Sequence, residues 1–141
     1  MNNIGNGAVY CNNRTQDNTS IGEDLFNNIE LTKLSRYLKF LSDKNLALLK
    51  IDVEGNEGKV IMGGEDLFSK YHIPFIAMEF YVSAIKSHQT DVIKLLKLFE
   101  NNGYKFSLVD FFSKKYVSSE ELIKDDRINN LYIVYEKFLD E

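Results

Sequence analysis

Three carboxylates and a lysine crowd one short stretch of this chain, Lys50, Asp52, Glu54 and Glu57, and a fourth carboxylate, Glu79, ends a second apolar run downstream. Side chains of this kind around one crevice can ligate a hard cation, act as a general base, or accept hydrogen bonds from a substrate's hydroxyl or amino groups. The plainer alternative is that strand-end acids accept hydrogen bonds from backbone N–H groups where the next helix begins. Lys50, flanked by Leu49 and Ile51, must reach a carboxylate or the sheet edge to escape desolvation, so an ion pair is expected there ahead of catalysis. His88, in Lys86-Ser87-His88-Gln89, lies beyond the second run and can line the crevice as a base or a substrate contact, or else sit solvated in a loop. His72, just before Ile73-Pro74, has less to recommend it. Cys11 is a single thiol with no second cysteine to pair with, and no nucleophilic role is expected of it. Ile4-Gly5-Asn6-Gly7 has the glycines of a phosphate-binding turn, but such a turn needs a buried strand before it, and only three residues precede it. The pairs Phe80-Tyr81 and Phe111-Phe112 read as packing, because no basic residues interleave them in a nucleic-acid pattern.

The chemistry so far needs a folded frame, and the composition supplies one. The 141 residues are 44% hydrophobic and 27% charged, which suits a single globular domain and excludes wholesale disorder. With 21 acidic against 17 basic residues the net charge is −4, so neither nucleic acid nor an anionic membrane is an expected partner. One cysteine and two histidines are too few for a zinc site, and a reducing compartment fits best. No apolar window is long enough to span a membrane, and the first residues lack a signal peptide's basic and apolar regions, so a cytoplasmic location is expected.

Periodicity then places the acids. Residues 1–30 are polar and Asn-rich, with only Ala8-Val9-Tyr10-Cys11 reading as a short strand. Leu34, Tyr37, Leu38 and Leu41 recur at helical spacing and predict a surface helix over Leu31 to Leu41. Leu46 to Val53 is nearly continuous apolar sequence, as in a parallel strand covered on both faces. Asn56 is the expected N-cap of a helix carrying Val60, Ile61, Leu67, Phe68 and Tyr71, broken at Gly63-Gly64. Pro74 introduces a second buried strand, Phe75 to Phe80. A helix from Asp91 to Asn101, capped by Thr90 and stopped by Gly103, precedes a strand from Tyr104 to Val109. A short helix at Ser119 to Lys124 and a last strand, Leu131 to Tyr135, complete the chain. The order predicts an open α/β sheet with helices on both faces, in elements enough for little more than the second half of a doubly wound fold. A right-handed crossover makes the strands ending at Asp52 and Glu79 parallel neighbours, and so brings both acids to one edge.

The run Leu48-Leu49-Lys50-Ile51-Asp52-Val53-Glu54-Gly55-Asn56-Glu57, followed by Val60-Ile61-Met62-Gly63-Gly64, resembles the signature of FkbM-type S-adenosylmethionine-dependent methyltransferases. In that family a hydrophobic strand ends in K-I-D-V-E-G-x-E and leads to a V-L-x-G-A-like step; here Gly64 stands where alanine is usual. Ile76 to Glu79 resembles the family's strand ending in glutamate, and Gly103-Tyr104 its late G-Y step. Upstream, Thr32-Lys33-Leu34-Ser35-Arg36-Tyr37-Leu38 has serine where the family has an acid. The resemblance covers residues 31–141. It implies the C-terminal part of a Rossmann-like class I methyltransferase sheet, parallel strands with an antiparallel C-terminal strand pair at the far edge. It also implies methylation of a hydroxyl on a sugar or small molecule. Asp52, Glu54 and Glu57 would form the catalytic rim, with Asp52 also beside the cofactor, and Glu79 and His88 would meet the substrate. The glycine-rich first-strand turn and the acid after the second strand, which such enzymes use for the cofactor, are absent. The chain is therefore expected to lack the N-terminal cofactor-binding half and not to bind S-adenosylmethionine alone; a divalent cation is the weaker cofactor expectation. The expectation is then a methyltransferase, as a fragment that is truncated or inactive unless completed by self-association or a missing N-terminal half, with a noncatalytic interaction module as the alternative.

Overall fold

The computed structural model of the protein describes residues 10–11, 14–15, 32–37, 46–127 and 129–139, and divides the chain into two compact units, Met1–Thr32 and Lys33–Glu141. In the first unit, β1 (Tyr10–Cys11) and β2 (Arg14–Thr15) pair antiparallel. The remainder of the Asn-rich segment, including Ile4-Gly5-Asn6-Gly7, lies outside the described residues. So does much of the surface helix expected over 31–41, of which a 3-10 turn, Leu34–Tyr37, is described.

The second unit holds a five-stranded sheet in the order β3 (Leu48–Ile51), β4 (Phe75–Phe80), β7 (Asn129–Tyr135), β5 (Tyr104–Ser107), β6 (Tyr116–Val117). β3 and β4 are parallel, with Leu48 opposite Phe75 and Ile51 opposite Met78, as the crossover argument requires. Every other pairing is antiparallel. The late strands pair as expected, Tyr104 opposite Tyr135 and Ser107 opposite Tyr132, but not at the far edge. β7 inserts between β4 and β5, and the edge belongs to β6, a two-residue strand too short for an alternation signal.

The connection from β3 to β4 runs through α1 (Glu57–Met62) and α2 (Glu65–Lys70), parted at Gly63-Gly64 as the glycines predict. The 3-10 turn docks at this break: Ser35 N donates to Gly63 O at 3.0 Å, and a Cβ on Gly64 would come within 2.8 Å of Leu34 Cδ2. Leucine thus fills the space that alanine's methyl would need. The helix over Asp91–Asn101 is present as α4 (Val92–Asn101), which buries Val92, Leu95, Leu96, Leu98 and Phe99. Each such side chain contributes about 1.5–3 kcal/mol. Its cap is Asp91 rather than Thr90: Asp91 Oδ1 accepts from Lys94 N at 3.1 Å. Thr90 is occupied elsewhere, against Gly58 in α1, where any added Cβ would clash with its side chain. α5 (Ser119–Leu122) carries a reciprocal capping box between Ser118 and Glu121.

Helices on both faces were expected, and the described residues differ. Phe99 of α4 meets Tyr104 and Phe106 on the face that also carries Ile76 and Ile133. α1, α3 (Val82–Ser87) and α5 pack against α4, and Phe68 of α2 meets Phe99 at 5.2 Å. Among the described residues the opposite face is covered by rings instead, with Phe75 touching Phe111, Phe112 and Phe138 at 5.1–5.4 Å and Tyr132 touching Phe111. The apolar run of β4 therefore reflects burial under helices on one side and an aromatic cluster on the other.

Helix α3 has no local cap: the side chain of Tyr81 does not provide one. Asp126 supplies it from across the chain, accepting from Ser83 N at 2.9 Å and from Ser83 Oγ at 2.5 Å. Asp126→Ala should cost about 0.5–2 kcal/mol, the usual loss for a cap, with the added amide exchange confined to residues 82–88. Urea unfolding and hydrogen exchange on the variant check this, and an unchanged midpoint would show that the bond contributes nothing.

Candidate functional site

β3 delivers Asp52 to the carboxyl edge of the sheet and then reverses sharply. Asn56 N donates to Val53 O at 3.1 Å, and both central residues of this turn are left-handed, Glu54 at φ 53° and Gly55 at φ 95°. Two positive φ values in succession define a type I′ form. Gly55 adopts it freely, whereas a side chain such as that of Glu54 pays about 1–2 kcal/mol. Strain of this size persists only where surrounding contacts over-determine it. Here the contact is Glu57: it is 2% exposed, and its Oε1 accepts from Val53 N at 3.0 Å. The side chain of Asn56, the expected cap, makes no capping bond. Of the acids named in the sequence, Glu57 is the one with the backbone-binding role raised as the plainer alternative.

The other carboxylates stay available. Asp52 is exposed and paired with Lys50, Nζ to Oδ2 at 2.7 Å, both on the face away from Ile51. Lys50 itself is exposed, because β3 lies at one edge of the sheet among the described residues, so the expected desolvation problem does not arise. An exposed pair of this kind contributes about 0–1 kcal/mol and serves more to orient than to stabilise. Glu79 is half-buried near the end of β4, opposite Asn130 of β7. Its carboxyl is held above the usual carboxylate range, first by partial burial and then by the negative charges of Glu54, Asp52 and Glu57, with Lys50 acting in the opposite sense. That repulsion reflects the convergence at one edge of the four acids named from the sequence.

His88 closes the same edge from α3. A Cβ on Gly55 would stand 2.7 Å from His88 Nδ1 and 3.3 Å from Ala84 Cβ, so the turn after β3 and the helix after β4 touch here. The sequence offered this ring no partner, but the structure does: Nδ1 lies 2.9 Å from Ala84 O and 3.3 Å from Ser87 Oγ. Sequence reasoning missed both Ala84 and helix α3, whose one signal was the spacing of Val82 and Ile85. His72 lies instead at the amino end of β4, stacked on Tyr135 at 4.5 Å with its Nδ1 buried and without a partner. Phe80 is wholly in the core, and Phe111 and Phe112 belong to the ring cluster. Among the described residues, no group of three or more His, Cys, Asp or Glu side chains is placed to hold a metal ion.

The raised carboxyl of Glu79 has a pH consequence. A group whose folded pKa exceeds its unfolded value contributes stability that is full below the unfolded pKa and is lost as pH rises through the folded one. At neutral pH Glu79 therefore works against the fold, and Glu79→Gln should raise the melting temperature at pH 7. The gain should vanish as pH falls below about 4, the unfolded carboxyl range. Thermal melts from pH 3 to 8 test this, and a gain that persists at the acidic end would mean that packing, not charge, is responsible.

Comparison with known families finds that residues 13–106 match the methyltransferase FkbM domain. No curated protein and no solved structure matches the chain. The match runs through β3, its turn, β4, α3 and α4, and so takes in every residue of the acidic rim and His88. This chain belongs to the FkbM methyltransferase family.

Proposed function

We propose that the chain forms the acceptor side of an S-adenosylmethionine-dependent methyltransferase that transfers a methyl group to a hydroxyl of a sugar or small molecule. The observation that carries this reading is the parallel β3–β4 pair, which brings the strand ends at Asp52 and Glu79 to one edge, with the turn that holds Glu54 packed on His88. The β3–β4 crossover and the antiparallel β7 also suit the C-terminal part of a Rossmann-like class I sheet.

S-adenosylmethionine, when bound, supplies a methyl group on positively charged sulfur. The described residues fit that end of the molecule: three carboxylates against one lysine favour a nearby cation, and Asp52 is the residue best placed to sit beside it. They offer little to its carboxylate or ribose, since among them no glycine-rich turn joins a buried strand to a helix ahead of β3. On the acceptor side, Glu54 at the exposed tip of the turn accepts hydrogen bonds from substrate hydroxyls. Lys50 occupies Asp52 Oδ2 and leaves Oδ1 without a hydrogen bond among the described residues. Glu57 keeps the turn in shape and takes no part in proton transfer.

A noncatalytic interaction module is the second reading, favoured by β3 lying at the sheet edge among the described residues, where Leu48 is 56% exposed. The two readings part on activity. Label from S-adenosylmethionine, supplied at about 1 mM because binding by this chain alone should be weaker than about 10 µM, should appear as methyl ether on hydroxyl acceptors. Calorimetry giving tighter binding would refute the view that the cofactor site is incomplete. Asp52→Asn should slow transfer by about 10²-fold. The same change should move stability by less than about 0.5 kcal/mol, because the residue is exposed. A fully active variant with a lowered melting temperature would remove Asp52 from the mechanism, and label reaching no acceptor would favour the interaction module.

A further inference from the structure

We propose that His88 is the proton acceptor of this site, its Nδ1–H tied to the Ala84 carbonyl and its Nε2 left to take the proton of an acceptor hydroxyl. This rests on the methyltransferase reading and deepens it. The first support is the tautomer. His88 follows the last turn of α3 and folds back along it, placing Nδ1 2.9 Å from Ala84 O. A carbonyl oxygen only accepts, so a hydrogen bond there places the hydrogen on Nδ1, with Ser87 Oγ as a second neighbour at 3.3 Å, and a neutral imidazole protonated there has its lone pair on Nε2. Ser87 Oγ donates to the same carbonyl at 2.7 Å, and His88 N reaches it at 3.2 Å. The exposed carbonyls at a helix C-terminus attract such donors, and the three share the two lone pairs of this oxygen.

The second support is the approach to Gly55. A Cβ there would lie 2.7 Å from Nδ1 and 2.9 Å from Cε1, closer than side-chain atoms come without displacement. The Nδ1–Cε1 edge of the ring thus rests on the turn that carries Glu54. Gly55 serves twice, once for its φ of 95° and once for the room it leaves, and it is a positioning residue for His88. Nε2 makes no hydrogen bond among the described residues.

The third support is what the other groups are doing. Glu57 Oε1 is bound to Val53 N and Asp52 Oδ2 to Lys50, which leaves Glu54 and Glu79 as the carboxylates that compete with His88 for the proton. Imidazole, with a lone pair on one ring nitrogen, is the commonest general base among side chains. In the step, a lone pair of the hydroxyl oxygen forms the O–CH3 bond as the S–CH3 bond of the sulfonium donor breaks, with its electron pair kept by sulfur. The hydroxyl proton passes to His88 Nε2, and water then removes it.

The test begins on the 141-residue chain without ligand. Long-range 1H–15N correlation at neutral pH should show His88 protonated at Nδ1, and Gly55→Ala should disturb its ring shifts. Diethyl pyrocarbonate should acylate His88 well ahead of His72. In the label-transfer assay, His88→Asn, which keeps a donor for Ala84 O, should lose about 10²- to 10⁴-fold in rate at an unchanged melting temperature. His88→Ala should recover part of its activity when imidazole is added. A dominant Nε2–H tautomer, or transfer by His88→Asn at the wild-type rate, overturns the proposal while leaving the methyltransferase reading intact. Absence of transfer by the wild type overturns that reading and the base assignment with it, whatever the tautomer.

Discussion

The hydrogen bond from Val53 N to the buried Glu57 carboxylate holds the turn on which the whole rim depends. Without it, the left-handed conformation of Glu54 would relax toward ordinary backbone, and the chain would leave β3 in another direction. Because the turn is fixed, Asp52 stays on the strand's outer face, Glu54 projects at the tip, and Gly55 is brought against His88. A single buried acid therefore sets the turn that carries Glu54 and Gly55. Glu57 is also the first residue of α1, where negative charge suits the helix dipole, so the turn and the helix start are stabilised together.

The second loop is fixed from farther away. Asp126 caps α3 through Ser83, and α3 in turn carries Ala84, Ser87 and His88. Thr90, just beyond, fits against Gly58, which lets α1 and the start of α4 approach closely. The edge is thus clamped from both sides: Glu57 fixes the turn after β3, and Asp126 with Thr90 fixes the helix after β4. The helices press on one face of the sheet around Phe99, and rings around Phe75 cover the other, so the acids are left at the edge between two packed layers.

Much of this is legible in the order of the residues alone. The apolar runs ending at Asp52 and Glu79, the glycine break at Gly63-Gly64, Pro74 at a strand start and Gly103 at a helix end are local signals, and each element lies where they put it. The convergence of Asp52, Glu54, Glu57 and Glu79 followed from the handedness of one crossover. The family signature sits in the same residues, since strand, turn and helix start form a single contiguous stretch.

What the sequence could not determine depended on partners distant along the chain. A helix without a cap of its own, α3, gives no start signal, and its cap is Asp126, 43 residues away. Thr90 and Asp91 are both good caps by residue type, and only the approach of Gly58 decides that Thr90 packs while Asp91 caps. The apolar residues of β4 did not reveal what covers each face, because helices and aromatic rings bury a strand equally well. Composition and spacing determined the strands and gathered the acids; tertiary contact alone assigned Glu57 to the backbone, Asp52 to Lys50 and His88 to the Ala84 carbonyl. The physical reason is that side-chain roles are set by which donors and acceptors come within hydrogen-bonding reach, and that is a property of packing rather than of order along the chain.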